Sequence, residues 1–242
     1  KMSHNLLINT GNILSLDEAK KKASQNTRDE VSKQLLFLKN NFSICCNVVL
    51  FFCFFFLYIN VNMYNMSVCV VFKYINIIKL KLLVFENLNT DKIESLVIAY
   101  STKDDSEDIL TSLKSLWRAV EEYVKIGKLS SVGLSDLNTN TFIELFQWAN
   151  IKPDIVQINL ATCCVVPPAL QEFSKANDVQ LLTHSDPSEI LPEDVLKEIF
   201  GLPVSLHWVV KYQIHLKCRG ILTSKGYLIY IKKLLTQKLI KK

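Results

Sequence analysis

The chain has 242 residues, 49% of them hydrophobic and 21% charged, with a net charge of +5; that is enough apolar material for a sizeable core and too much for a disordered chain. The positive excess is uneven: no acidic residue occurs between Glu30 and Glu86 and the tail IKKLLTQKLIKK is purely basic, while the rest is mixed and near neutral, so the charge does not point to a nucleic-acid partner or a membrane. Seven Cys (Cys45, Cys46, Cys53, Cys69, Cys163, Cys164 and Cys218) form no C-x-x-C pair and no zinc spacing, which predicts no metal site and favours free thiols in the cytoplasm.

In chain order, residues 1–38 are a polar, partly helical lead with Asp17 and Glu18 at the front of a Lys-rich segment. KMSHNLLINTGN contains no continuous apolar run of the signal-peptide kind. Residues 39–85 form a block rich in Phe, Ile, Asn and Lys. From Val31 to Phe85 there is no Asp, Glu, Gly, Pro, Ala, Thr, Arg, His or Trp, so the usual turn and cap residues are missing. Its most apolar run, Val48–Ile59, is shorter than the ~20 residues a bilayer span requires, although a single-pass membrane protein would rest on this segment. The composition reads as translated AT-rich sequence inserted into a fold.

Beyond Glu86 the punctuation becomes regular. LVIAY (96–100) is a short apolar run that fits a strand buried on both faces. SEDILTSLKSLWRAVEEYVKIGK follows as a helix, with Ser106 as N-cap, Ile109, Leu113, Leu116, Val120 and Tyr123 at helical spacing, and Gly127 at the C′ position. SSVGLSD predicts a strand, NTFIELFQWAN a helix stopped before Pro153, and IVQINLA a strand. PPALQEFSKAND predicts a helix with Pro168 near N1, VQLLTHSD a strand, and PEDVLKEIFG a helix closed by Gly201. Four strand–helix units with short links predict parallel strands with right-handed crossovers, in a (β/α) barrel or an open doubly wound sheet. No G-x-G-x-x-G and no phosphate-loop motif follows a strand.

GKLSSVGLSDLN (127–138), KPDIVQINLATCC and NDVQLLTHSDP stand in the order, and at the strand ends, of three signature segments, and there the chain resembles the aldo-keto reductase superfamily. With TGNIL, SDLN, QWANIKP, QINLATCCVVPP, QLLTHSDP and KCRGILTSKGYL, it also resembles, more finely, the regulatory (modifier, light-chain) subunits of glutamate–cysteine ligase. The likeness covers residues 5–36 and 86–230 and leaves out 39–85. It implies a TIM-type (β/α) barrel, incomplete in its N-terminal half, with domains 1–38, 39–85 and 86–242. It also implies a non-catalytic cytoplasmic protein that forms a heterodimer with the glutamate–cysteine ligase catalytic subunit and modulates the first step of glutathione synthesis.

The same resemblance bears on chemistry. The superfamily's catalytic His ends the strand read here as SLVIAYSTK, where Tyr100 stands, and no segments match those that carry its Asp, Tyr and Lys. The expectation is therefore no catalytic residue and no required cofactor. A partial nicotinamide site remains: Ser135 and Gln157 match the residues that hold the carboxamide, His184 the aromatic that stacks on the ring, and Asp136 replaces an Asn. NADP(H) as ligand or sensor stays open, with Lys217, Arg219 and Lys225 available to phosphate. The alternative function is an NADPH-dependent carbonyl reductase.

Cys163 and Cys164 read either as a redox-responsive, partner-linking pair or as small buried side chains under a loop. His207 and His215 read as packed or surface residues, and Trp117, Trp148 and Trp208 as core at helical spacing. The basic tail reads as a solvated helix end or a membrane-surface helix.

Overall fold

The structure is a computed structural model that describes residues 5–15, 27–41, 64–72, 85–100, 109–161, 165–187, 189–216 and 221–233. Its strands are β1 (Asn5–Asn9), β2 (Tyr64–Phe72), β3 (Ile93–Tyr100), β4 (Leu129–Ser135), β5 (Ile155–Asn159), β6 (Gln180–His184), β7 (Val204–Leu216) and β8 (Ile221–Lys233). Its helices are α1 (Thr27–Asn41), α2 (Ile109–Lys125), α3 (Thr139–Trp148), α4 (Pro168–Ala176) and α5 (Glu193–Phe200). All eight strands join one sheet in the order β1-β8-β7-β2-β3-β4-β5-β6. From β2 to β6 the pairs are parallel; β2–β7, β7–β8 and β8–β1 are antiparallel. This is an α/β fold with a β/α-repeat half. Among the described residues β1 and β6 are the outer strands, with no ladder between them.

The register sorts side chains onto two faces, because alternate residues of a strand point oppositely. Ile98, Leu134 and Val156 share one face with Val210 and Leu228, and α2, α3 and α4 cover it through Leu113, Leu116, Trp117, Phe142, Leu145 and Leu170. Each of these helices presents one apolar stripe, as a helix crossing over a parallel sheet must. The other face carries Val209, Tyr227, Ile229 and Ile231, which pack with Val31 and Leu35 of α1 and Leu196 and Ile199 of α5. Strand β7 changes sides part-way along. Leu206 lies in this second core and Trp208 in the first, because an irregularity between Leu206 and Trp208 shifts the register against β8.

The ends of the helices follow from local chemistry. Asn138 accepts from the Asn140 N–H at 2.8 Å to start α3. Pro168 opens α4, where its missing N–H is no loss. Gly201 closes α5 at φ 68°, its N–H donating to the Lys197 carbonyl at 2.8 Å. Ser106, expected to cap α2, lies outside the described residues.

Several expectations are corrected. Residues 231–233 of the basic tail are the end of a strand, with Ile231 buried in the second core; residues 234–242 are outside the description. Trp208, His207 and His215 lie on β7, so Trp208 is a core residue at strand spacing. Trp117 is fully buried on α2, its Nε1–H donating to the Ile151 carbonyl at 2.8 Å. Trp148 is half-buried, with Lys114 and Arg118 over its ring.

Candidate functional site

The C-terminal ends of β4, β5 and β6 lie side by side, with Ser135 paired to Gln157 and Asn159 to His184 in the ladders. Strand ends of this kind carry the reacting groups in barrel enzymes. Ser135, Gln157 and His184, found separately in the sequence, are therefore neighbours. Ser135 is 1% exposed, and its Oγ lies 3.4 Å from His184 Nε2. Asp136 follows at φ 60°, a left-handed turn that Asp and Asn tolerate better than other side chains. Its N–H donates to the Gln157 carbonyl at 3.0 Å.

That turn aims the Asp136 carboxylate at the imidazole. Both of its oxygens lie 3.0 Å from His184 Nε2. On the other edge of the ring, Asp186 Oδ2 lies 3.3 Å from Nδ1 and also 3.5 Å from Lys211 Nζ on β7. Burial opposes charge on the ring, but hydrogen bonds and attraction from Asp136 and Asp186 outweigh it and raise the His184 pKa to about 9. His184 is thus an imidazolium at neutral pH, donating Nε2–H to Asp136 and Nδ1–H to Asp186. The Asp186 backbone N–H, 3.4 Å from Nδ1, is then a neighbour and not a donor to it. Asn159 braces the cluster: its Nδ2 donates to the Asp186 carbonyl at 2.7 Å, and its Oδ1 accepts from the Ala161 N–H at 2.9 Å.

Ser135, His184 and Asp186 have the outline of a hydrolytic triad, but the arrangement cannot work as one. A triad His must be neutral to take the hydroxyl proton, and here a second carboxylate holds a proton on the nitrogen that would accept it. The hydroxyl is also shut off from solvent.

For a nicotinamide the site offers few donors: Ser135 is buried, and the Asp136 carboxylate, which keeps acceptor capacity beside His184, has no proton to give a carboxamide, so the half-buried Gln157 amide is the group that could donate. A cationic ring is also a poor platform for the positively charged oxidised nicotinamide. Lys225, on β8, is bound by Glu30 of α1 at 2.6 Å. Lys217, Arg219, Cys163 and Cys164 lie outside the described residues. Asp186, Asn159 and Lys211 were not singled out from the sequence. The S-D-P after β6 was a local signal for Asp186, but nothing near Lys211 announced a partner 25 residues upstream.

Among the described residues, no group of three or more His, Cys, Asp or Glu is arranged to hold a metal ion. None of the described helices is long and apolar enough to cross a membrane, and the Ile44–Val61 segment lies outside the description.

The family model for the aldo/keto reductase family matches residues 59–186, just over half of the chain. The chain belongs to the aldo/keto reductase family. The match starts inside the 39–85 block, which also supplies β2, and ends two residues beyond β6. The chain is 37% identical over 155 residues to the glutamate–cysteine ligase regulatory subunit of Homo sapiens, covering 60% of this chain and 57% of that protein. It is 29% identical over 120 residues to a putative glutamate–cysteine ligase regulatory subunit of Schizosaccharomyces pombe, covering 47% and 42%. It is also 31% identical over 127 residues to the NAD(P)H-dependent 6′-deoxychalcone synthase of Glycine max, covering 46% and 39%. The chain thus spans little more than half the length of the curated regulatory subunits it matches.

Proposed function

We propose that the chain is a regulatory subunit of glutamate–cysteine ligase: a non-catalytic, cytoplasmic protein that binds the catalytic subunit as a heterodimer and modulates the first step of glutathione synthesis. The observation that carries this reading is the 37% identity, over 155 residues, to a protein named as that regulatory subunit. The likeness to an NAD(P)H-dependent enzyme spans a smaller share of the chain at lower identity.

A partner changes an enzyme's affinities only by contacting two of its states differently. The test is co-purification of the full chain with a tagged glutamate–cysteine ligase catalytic subunit, followed by kinetics. A lower KM for glutamate and weaker inhibition by glutathione are expected. Absence of both effects at saturating chain overturns the reading. Replacing Cys163 and Cys164 together by Ser is expected to leave assembly intact, so a complex lost in that variant would mark the pair as partner-linking.

The second reading, an NADPH-dependent carbonyl reductase, draws on the similarity to the Glycine max enzyme. It requires NADPH consumption with a generic aldehyde, and none is expected.

A further inference from the structure

We propose that Trp148, with Lys114 and Arg118 over its ring, is the point at which this chain docks an acidic surface of the glutamate–cysteine ligase catalytic subunit. The inference rests on the regulatory reading and adds to it the face that is used and the charge of the surface it meets.

Lys114 and Arg118 stand one turn apart on α2, and α3 brings Trp148 under both. The Lys114 Nζ lies 5.6 Å, and the Arg118 guanidinium carbon 5.3 Å, from the ring centroid. Like charges at this spacing on a helix repel; the ring attracts each of them but is not a counter-ion. Among the described residues neither cation is paired with a carboxylate. Glu122, one turn further along α2, is held by Lys125 at 2.7 Å, and Glu144, one turn before Trp148 on α3, bridges to neither. A carboxylate brought by a partner to the two cations would relieve their repulsion.

The face is also open. Trp148 and Lys114 are half-buried and Arg118 is exposed, and a rigid aromatic anchor beside an Arg is the combination over-represented at binding hot spots. Lys152, over the Phe146 ring at 5.5 Å, adds a third positive charge just beyond α3. Glu122 and Glu144 interrupt this positive face, which suits a protein surface with separate carboxylates better than a phosphate backbone.

The test is biolayer interferometry of the full chain on the immobilised catalytic subunit at low and high salt. Lys114→Glu with Arg118→Glu is expected to weaken binding by about tenfold or more and to flatten its salt dependence. Lys33→Glu with Lys197→Glu makes the same change of charge at exposed positions of α1 and α5, which cover the opposite face of the sheet, and is expected to change binding little. Binding that the first variant leaves where it was overturns this proposal and spares the regulatory reading. Equal weakening by both variants overturns it too, because net charge alone then sets the attraction. So does an RNA of random sequence that loses affinity for the first variant while the catalytic subunit does not. No binding by the unaltered chain overturns the regulatory reading and this proposal together. Should the first variant fail to fold by circular dichroism, Lys114→Gln with Arg118→Gln takes its place under the same outcomes.

Discussion

His184 Nε2 lies 3.0 Å from both carboxylate oxygens of Asp136, across the ends of two parallel strands that are not adjacent in the sheet. This contact, with the one to Asp186, raises the His184 pKa from 6.5 to about 9. A raised folded-state pKa means that the native state holds the proton more tightly than the unfolded chain. The stabilisation is therefore complete below about pH 6.5 and disappears as pH rises through about 9. Discounted for the solvent that reaches Asp136, it is about 1–2 kcal/mol. Urea unfolding of the chain is expected to show this loss between pH 6.5 and 9.5, and His184→Gln to flatten it. Two-dimensional NMR of the ring should give the same midpoint; a value near 6.5 would show that the ion pairs around His184 do not form in solution.

Glu121 is a different kind of buried charge. It is 2% exposed on α2. Its Oε1 accepts from the Asn150 and Ile151 N–H groups at 2.7 and 3.0 Å, and Oε2 from Asn150 Nδ2 at 3.3 Å. Burial pushes its pKa up, yet the hydrogen bonds from Ile151 and Asn150, with help from Lys125, bring it below the ordinary value. Glu121→Ala strands two backbone donors between α3 and β5 and is expected to cost about 2–4 kcal/mol. Because the folded pKa is depressed, the contribution is present above the unfolded carboxylate range and is lost as pH falls through the lowered value. Denaturation curves at pH 7 and pH 3 check this: the gap between the unaltered chain and Glu121→Gln should shrink in acid.

The repeating half of the fold could be read in the sequence because each of its elements carries its own signal. Helices α2 to α5 have helical apolar spacing, α3 starting at an Asn cap and the other three bounded by Gly or Pro, and β3 to β6 are short stretches between them. The antiparallel half could not. Strand β7 alternates, but the irregularity after Leu206 reverses which face its apolar residues occupy, so no single period describes it. Strand β8 buries Tyr227, Leu228 and Ile229 in succession between two cores, which hides a period of two. Strand β2 lies in a block without turn residues, so nothing local bounds it. At the site, Ser135, Gln157 and His184 follow from motifs on neighbouring strands. The ion pairs around His184 have no such signal, because charge pairing between strand ends distant in sequence follows no spacing rule.

Helix α1 and strand β8 are tied by a partly buried ion pair, with the Lys225 and Glu30 side chains 18% and 22% exposed. Glu30 of α1 accepts from Lys225 Nζ at 2.6 Å and from the Tyr227 hydroxyl on β8, while the Tyr227 N–H donates to Thr10 Oγ1 at 2.8 Å. Removing the carboxylate takes an acceptor from both Lys225 and the Tyr227 hydroxyl. Glu30→Ala is expected to cost about 1–2 kcal/mol, with Glu30→Gln less damaging because it still accepts a hydrogen bond. Amide hydrogen exchange should localise the loss to β1, β8 and α1 and spare β4 and β5. Uniform acceleration across the sheet would mean that the ends are not a separable cooperative unit.

Gly133 lets β4 approach β5 more closely than any side chain would allow. A Cβ there would meet the Ile155 side chain and its backbone carbonyl, and a backbone carbonyl in a ladder cannot step aside as a flexible side chain can. Gly133→Ala must therefore separate the strands where Gly133 pairs with Ile155, two residues before Ser135. Overpacking of this kind costs about 1–3 kcal/mol, and about 2–4 °C in Tm per kcal/mol for a chain of this size. The displaced strand end also carries Asp136 away from His184, so the ring's pKa should fall toward 6.5 in the same variant. If Gly133→Ala lowers Tm while the His184 midpoint stays near 9, the Asp136–His184 pair is held by its own charges and not by the spacing of the strands beneath it.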